Sequence, residues 1–197
     1  MTVETPARFS PLSEWQDRLT RLPDGFRVRE LPFLTQLTLR VEPGSAAAKA
    51  VESCLGVPLP GPLRAELSGE VDVVWMGPDE WLLVAPDGRP DDLVARLRSA
   101  AGAGFATVTD VSAQRTTLAL SGPLVRTILA QGCAIDLDPR VTPAGSCPTT
   151  LLAQAPVTLV VRDDAARDIR LLVRSSFATY LAAWLIDACT EYRGSAS

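Results

Sequence analysis

Two acids in tandem, Asp79 and Glu80, stand between Trp75 and Trp81 in the stretch VVWMGPDEWLLVAP, residues 73–86. Paired carboxylates beside aromatic rings are the residue types of sugar and amine chemistry, one as acid and one as base, if a cleft sets their pKa values apart. The spacing argues for a turn instead. GPDE places Pro78 at the second position, where its fixed φ suits a turn, and Asp79 at the third. A four-residue loop sets Met76 opposite Trp81 and Trp75 opposite Leu82, so the two tryptophans fall on opposite sheet faces. One is expected to cover a helix and the other to meet another chain. Trp75 and Trp81 are therefore interface candidates, and Asp79 and Glu80 are solvated at a hairpin tip.

Other chemistries find few of their residues. The chain has no histidine, which removes Ser-His-Asp and Cys-His catalysis and every His-ligated metal. Its single lysine, Lys49, follows PGSAAA, without the second Gly or the Ser/Thr of a phosphate loop. GAGF, residues 102–105, follows a helix and lacks the third Gly of a dinucleotide fingerprint. Cys54, Cys133, Cys147 and Cys189 form no C-x-x-C pair, and Cys147 has no base beside it, so four reduced thiols and no metal are expected. Asp110 and Arg115 in DVSAQR remain. An acid and an arginine there suit either a ligand or a structural ion pair at a strand end, and they are the candidate ligand contacts of the chain.

The elements that would position them follow from periodicity. Ser10 and Pro11 read as the start of a short helix with Leu12, Trp15, Leu19 and Leu22 on one face, within an N-terminal segment 1–26 whose first ten residues are polar and irregular. An internal repeat of about 80–90 residues follows, weak in identity but clear in the order of its elements. In the first copy, 27–104, come a strand (QLTLRV), a helix capped by Ser45 and stopped by Gly56, a Pro-rich connection, the strands VDVVWM and WLLVAP, and a helix begun by Pro90. In the second copy, 105–197, come RTTLALSG, the helix PLVRTILAQG, a connection, the strands VTLVV and IRLLVR around RDDAARD, the helix SFATYLAAWLIDACTEY and a frayed tail, RGSAS. The fold class is α+β: two strand-helix-strand-strand-helix units packed as one body, with helices on one face of mainly antiparallel sheets.

Composition bounds the partners. Of the 197 residues, 47% are hydrophobic and 21% charged, as expected of a globular chain. A net charge of −4 without a basic cluster speaks against nucleic acid and anionic membrane. No apolar run suits a signal peptide or a membrane span, and the expected location is the cytoplasm.

The order of motifs resembles the gamma subunit of heterotetrameric sarcosine oxidase from about Ser10 to Glu191, most specifically in GPDEWLL, GCAIDLDP and SFATYLAAWL. The fold is also similar to that of the folate-binding aminomethyltransferases, the glycine-cleavage T-proteins, whose D-x-S…G strand and helix match Asp110 to Gly122. The resemblance implies alpha, beta and delta subunits as partners in a complex that demethylates sarcosine to glycine with oxygen and tetrahydrofolate, giving hydrogen peroxide. It implies FAD, FMN and NAD on the large subunits, zinc on delta, and no cofactor in this chain. In the aminomethyltransferases a catalytic Asp precedes the second strand pair, whereas the matching LLAQAPVTLVV has no carboxylate. A non-catalytic structural subunit is the resulting expectation. The alternative is a stand-alone folate- or small-molecule-binding protein using the cleft between the copies; an independent aminomethyltransferase lacks its acid.

Overall fold

The computed structural model describes residues 8–88 and 90–192. The start of the irregular N-terminus and the tail RGSAS lie outside these residues. The N-terminal helix is shorter than its apolar spacing predicts. A single 3₁₀ turn, Ser13–Trp15, runs into α1, Gln16–Leu19. Ser10 does not cap it, because its hydroxyl donates to the Glu30 carboxylate at 2.6 Å.

Ten strands follow among the described residues: β1 (Arg27–Leu31), β2 (Thr35–Val41), β3 (Ala65–Glu66), β4 (Asp72–Gly77), β5 (Glu80–Ala85), β6 (Ala106–Asp110), β7 (Arg115–Ser121), β8 (Thr149–Leu152), β9 (Ala155–Val161) and β10 (Asp168–Arg174). They form two five-stranded sheets, in the orders β3-β4-β5-β2-β6 and β8-β9-β10-β7-β1, with every pairing antiparallel. Position for position the orders are equivalent, which is the repeat in three dimensions. The edges are exchanged. β6 leads into β7 but pairs with β2, and β1 leads into β2 but pairs with β7. Sheet membership therefore crosses the sequence division at 104/105.

The helices α2 (Ala46–Leu55) and α3 (Pro90–Ala101) cover the first sheet; α1, α4 (Val125–Leu129) and α5 (Ala178–Ala188) cover the second. Local chemistry sets their ends. Ser45 Oγ accepts from the Ala48 amide at 3.1 Å, and Gly56 closes α2 at φ 73°, a left-handed conformation that suits a residue without Cβ. Strand alternation divides the core. On β5, Trp81 and Leu83 face the helices, while Leu82 and Val84 join Val74, Val160 and Leu172 in a cluster between the sheets. Each sheet is thus covered by helices on its outer face and by the other sheet on its inner one.

The hairpin differs from the sequence expectation. Gly77 pairs with Glu80 and Trp75 with Trp81, with Met76 bulged between. The turn has two residues, Pro78 and Asp79, so the tryptophans share a face. The bulge restores a pairing that the four-residue reading misses. Trp81 is 3% exposed, and its indole donates to the Pro60 carbonyl at 2.9 Å. Trp75 is half-buried and touches both the first core and the inter-sheet cluster.

Two further ties join the sheets. Residues 145–147 bond to both: the Cys147 amide donates to Leu63 O at 2.8 Å, the Ala65 amide to Gly145 O at 2.7 Å, and the Gly145 amide to Val161 O at 2.8 Å. Asp72 on β4 accepts from Arg162 at 3.1 Å and from Arg170 at 2.6 Å.

Candidate functional site in the cleft between the halves

Asp110 ends β6 and Arg115 begins β7, so both stand on the connection that crosses from one sheet to the other. That connection is a tight turn, closed by the Gln114 amide on Val111 O at 2.9 Å. Asp110 Oδ1 accepts from the Ser112 amide at 2.9 Å and from its hydroxyl at 2.5 Å. This is the local bonding that makes Asp a turn residue. Arg115 donates from Nη1 to the Gln114 side chain. The two residues do not form the ion pair weighed from sequence.

Both line one cavity of about 500 Å³. Its walls come from separate segments: the N-terminal arm (Arg8, Phe9), the β1–β2 turn (Phe33), the β5–α3 connection (Asp87, Pro90) and the β6–β7 turn. Phe33 has φ 60°, a left-handed conformation that costs a residue with Cβ. Arg8 lies 4.1 Å over its ring, bonds the Phe33 carbonyl at 3.4 Å and pairs with Asp87 at 3.0 Å. The strained turn and the arm thus hold one another.

Electrostatically the site is mixed. Burial pushes the Arg115 guanidinium below its ordinary pKa; Arg174, its register partner on β10, adds to this, and Glu80 opposes it. Like charges facing each other across a ladder are unfavourable. Behind the cavity wall lies Glu30, 3% exposed, which accepts from Ser10 (2.6 Å), Thr116 (2.7 Å) and Gln16 (3.3 Å). These neutral donors satisfy a buried carboxylate. Sequence reasoning passed over Glu30, since an acid in RVREL reads as a solvated strand position. Its only sequence signal was the alternation with Val28, which is also buried.

Asp79 pairs with Arg40 at 2.8 Å at the hairpin tip, away from this cavity. Among the described residues no three Cys, Asp or Glu side chains converge on a metal position. Where the resemblance puts a catalytic acid, the β8–β9 turn holds Ala153 and Gln154, with Ala153 at φ 51°.

Residues 41–191 match the sarcosine oxidase, gamma subunit family. The chain is 38% identical over 169 residues to the sarcosine oxidase gamma subunit of Corynebacterium sp. strain P-1, covering 84% of this chain and 81% of that one. It is 39% identical over 168 residues to the gamma subunit of Corynebacterium sp. strain U-96, covering 84% and 80%. Among solved structures, the heterotetrameric sarcosine oxidase from Corynebacterium sp. U-96 in complex with pyrrole 2-carboxylate contains a chain that superimposes with a TM-score of 0.86 at 34% identity, over 96% of this chain and 98% of that one. The glycine cleavage system aminomethyltransferase T from Bartonella henselae matches with a TM-score of 0.65 at 15% identity, over 86% of this chain and 48% of that one, a likeness of fold. Family match, identity and near-complete structural coverage agree: the chain belongs to the sarcosine oxidase gamma subunit family.

Proposed function

We propose that the chain is the structural, non-catalytic gamma subunit of a heterotetrameric sarcosine oxidase. In this reading it assembles with alpha, beta and delta subunits in the cytoplasm. The complex oxidatively demethylates sarcosine to glycine with oxygen and tetrahydrofolate and releases hydrogen peroxide. FAD, FMN, NAD and zinc reside on the partner subunits.

The observation that carries the reading is end-to-end equivalence with one chain of the solved oxidase, over 96% of this chain and 98% of that one. The residues agree with it. The β8–β9 turn offers an amide and a methyl, Gln154 and Ala153, which supply no acid or base. All four cysteines are free thiols, in keeping with a reducing compartment. Trp75, half-buried, is the better placed of the two tryptophans to meet another subunit, since Trp81 serves the chain's own core.

Co-expression with the genes for the flavin-bearing subunits tests the proposal. A tagged copy of this chain should retain those subunits in stoichiometric amount. Recovery of the tagged chain alone, with sarcosine oxidation left on the untagged subunits, would refute it.

A further inference from the structure

The cavity between the halves holds opposite charges that do not neutralise each other. Asp110 uses Oδ1 for both bonds to Ser112, and its second oxygen receives no donor from the described residues. Arg115 spends one donor on Gln114 and has no carboxylate at ion-pair distance among the described residues. Its register neighbour is another cation, Arg174, so an anion here would relieve a repulsion. The other pair in the cavity, Arg8 and Asp87, is already joined. One acceptor and one cation therefore remain uncommitted, each five residues from the other across a closed turn. An apolar part of the wall comes from Phe9, Phe33, Pro11 and Pro90, and hydroxyl residues, Thr35 and Ser175 among them, line the rest. Phe9 is 82% exposed, an aromatic ring with little of its surface covered by its own chain. The volume of about 500 Å³ lies within the range of small-molecule sites.

We propose that this cavity binds an α-amino acid with an apolar side chain, its carboxylate on Arg115, its ammonium on Asp110 and its side chain against Phe33, Phe9 and Pro90. Arginine suits a carboxylate because its planar fork offers two parallel donors, and charge-assisted bonds are the stronger kind. The site belongs to this chain and does not depend on the assembly proposed above, so its outcome is separate from that of co-purification.

Calorimetric titration of the complete chain with phenylalanine tests the proposal, with phenylalanine amide lacking the carboxylate and N-acetylphenylalanine lacking the ammonium. Phenylalanine should bind saturably, and each blocked form should bind at least about tenfold more weakly, the effect of losing one charge-assisted contact. In Arg115→Gln the preference over the amide should vanish while that over the acetylated form persists. In Asp110→Asn the reverse should hold, because Asn retains an oxygen for Ser112 and so keeps the turn. Circular dichroism checks folding, and Arg115→Met, which likewise removes the charge, replaces Arg115→Gln if that variant does not fold. Absence of saturable binding by phenylalanine and by leucine up to about 10 mM would overturn the proposal. So would preferences that stay unchanged in both variants.

Discussion

Asp72 and Arg170 meet at 2.6 Å across the gap between the two sheets, and Arg162 joins them at 3.1 Å. The carboxylate belongs to β4 and both guanidinium groups to the β9–β10 hairpin, so this is the polar counterpart of the apolar cluster beside it. Asp72 is the carboxylate that both arginines share, and burial first and then Arg162 lower the pKa of Arg170, with Asp72 and Asp168 opposing them.

Replacing Asp72 with Ala leaves two arginines facing each other with about a quarter of each side chain exposed. A loss of roughly 2–3 kcal/mol is expected, below that of a fully buried pair because solvent screens what remains. Urea unfolding followed by tryptophan fluorescence measures it. A midpoint equal to that of the parent chain would show that the ion pair contributes nothing to joining the halves.

Gly25 and Gly122 lie back to back. A Cβ on Gly122 would stand 2.2 Å from the Gly25 carbonyl oxygen, and Gly122 itself has φ 120°. Neither the space nor the backbone admits a side chain, so Gly122→Ala should cost about 2–4 kcal/mol, from overpacking and strain together. Thermal unfolding of the single variant checks this, with Gly44→Ala as a comparison in which backbone strain acts without any steric neighbour.

The two tryptophans separate folding from assembly. Trp81→Ala removes a ring that is 3% exposed and a hydrogen bond to Pro60, and should destabilise the chain by about 3–5 kcal/mol. Trp75→Ala should cost less in unfolding and more in recovery of the partner subunits by co-purification. Equal recovery from Trp75→Ala and from the parent would remove Trp75 from the interface.

Cys147 is buried among Val74, Leu82 and Val160, and burial pushes its thiol up to about 11. Its folded pKa is raised above the unfolded value, and the neutral thiol is the form that the fold favours. The stability it contributes is whole below the ordinary thiol pKa and is lost as pH rises from there through about 11. At pH 8, alkylation by iodoacetamide should modify Cys147 far more slowly in the native chain than in urea, by at least about a hundredfold. Mass spectrometry of the tryptic peptides gives the rate, and equal rates would contradict the burial.

Much of this was legible in the chain. Ser45 and Gly56 bounded a helix by their own chemistry, and the apolar run in WLLVA marked a strand. What escaped was non-local. β1 and β6 are short strands of mixed polarity whose partners lie 86–94 and 65–73 positions away, and no spacing rule names the sheet that receives them. The hairpin's register turned on one bulged residue, Met76, which no turn signal marks. In the cavity, Asp110 and Arg115 were visible by type. Phe33, Asp87 and the arm at Arg8 were not, because they come from distant segments that only the fold assembles.

The exchanged edges have a last consequence. Each half holds a strand that the other half needs, so neither sheet is complete without both, in the manner of two hands clasped by one finger each. A chain cut between residues 104 and 105 gives fragments that each lack an edge and each carry the missing one for the other. Mixed together they can complement, and alone each exposes an unpaired strand to whatever is nearby. The duplication built into this sequence yields a closed mutual lock, in which neither sheet takes all its strands from one half.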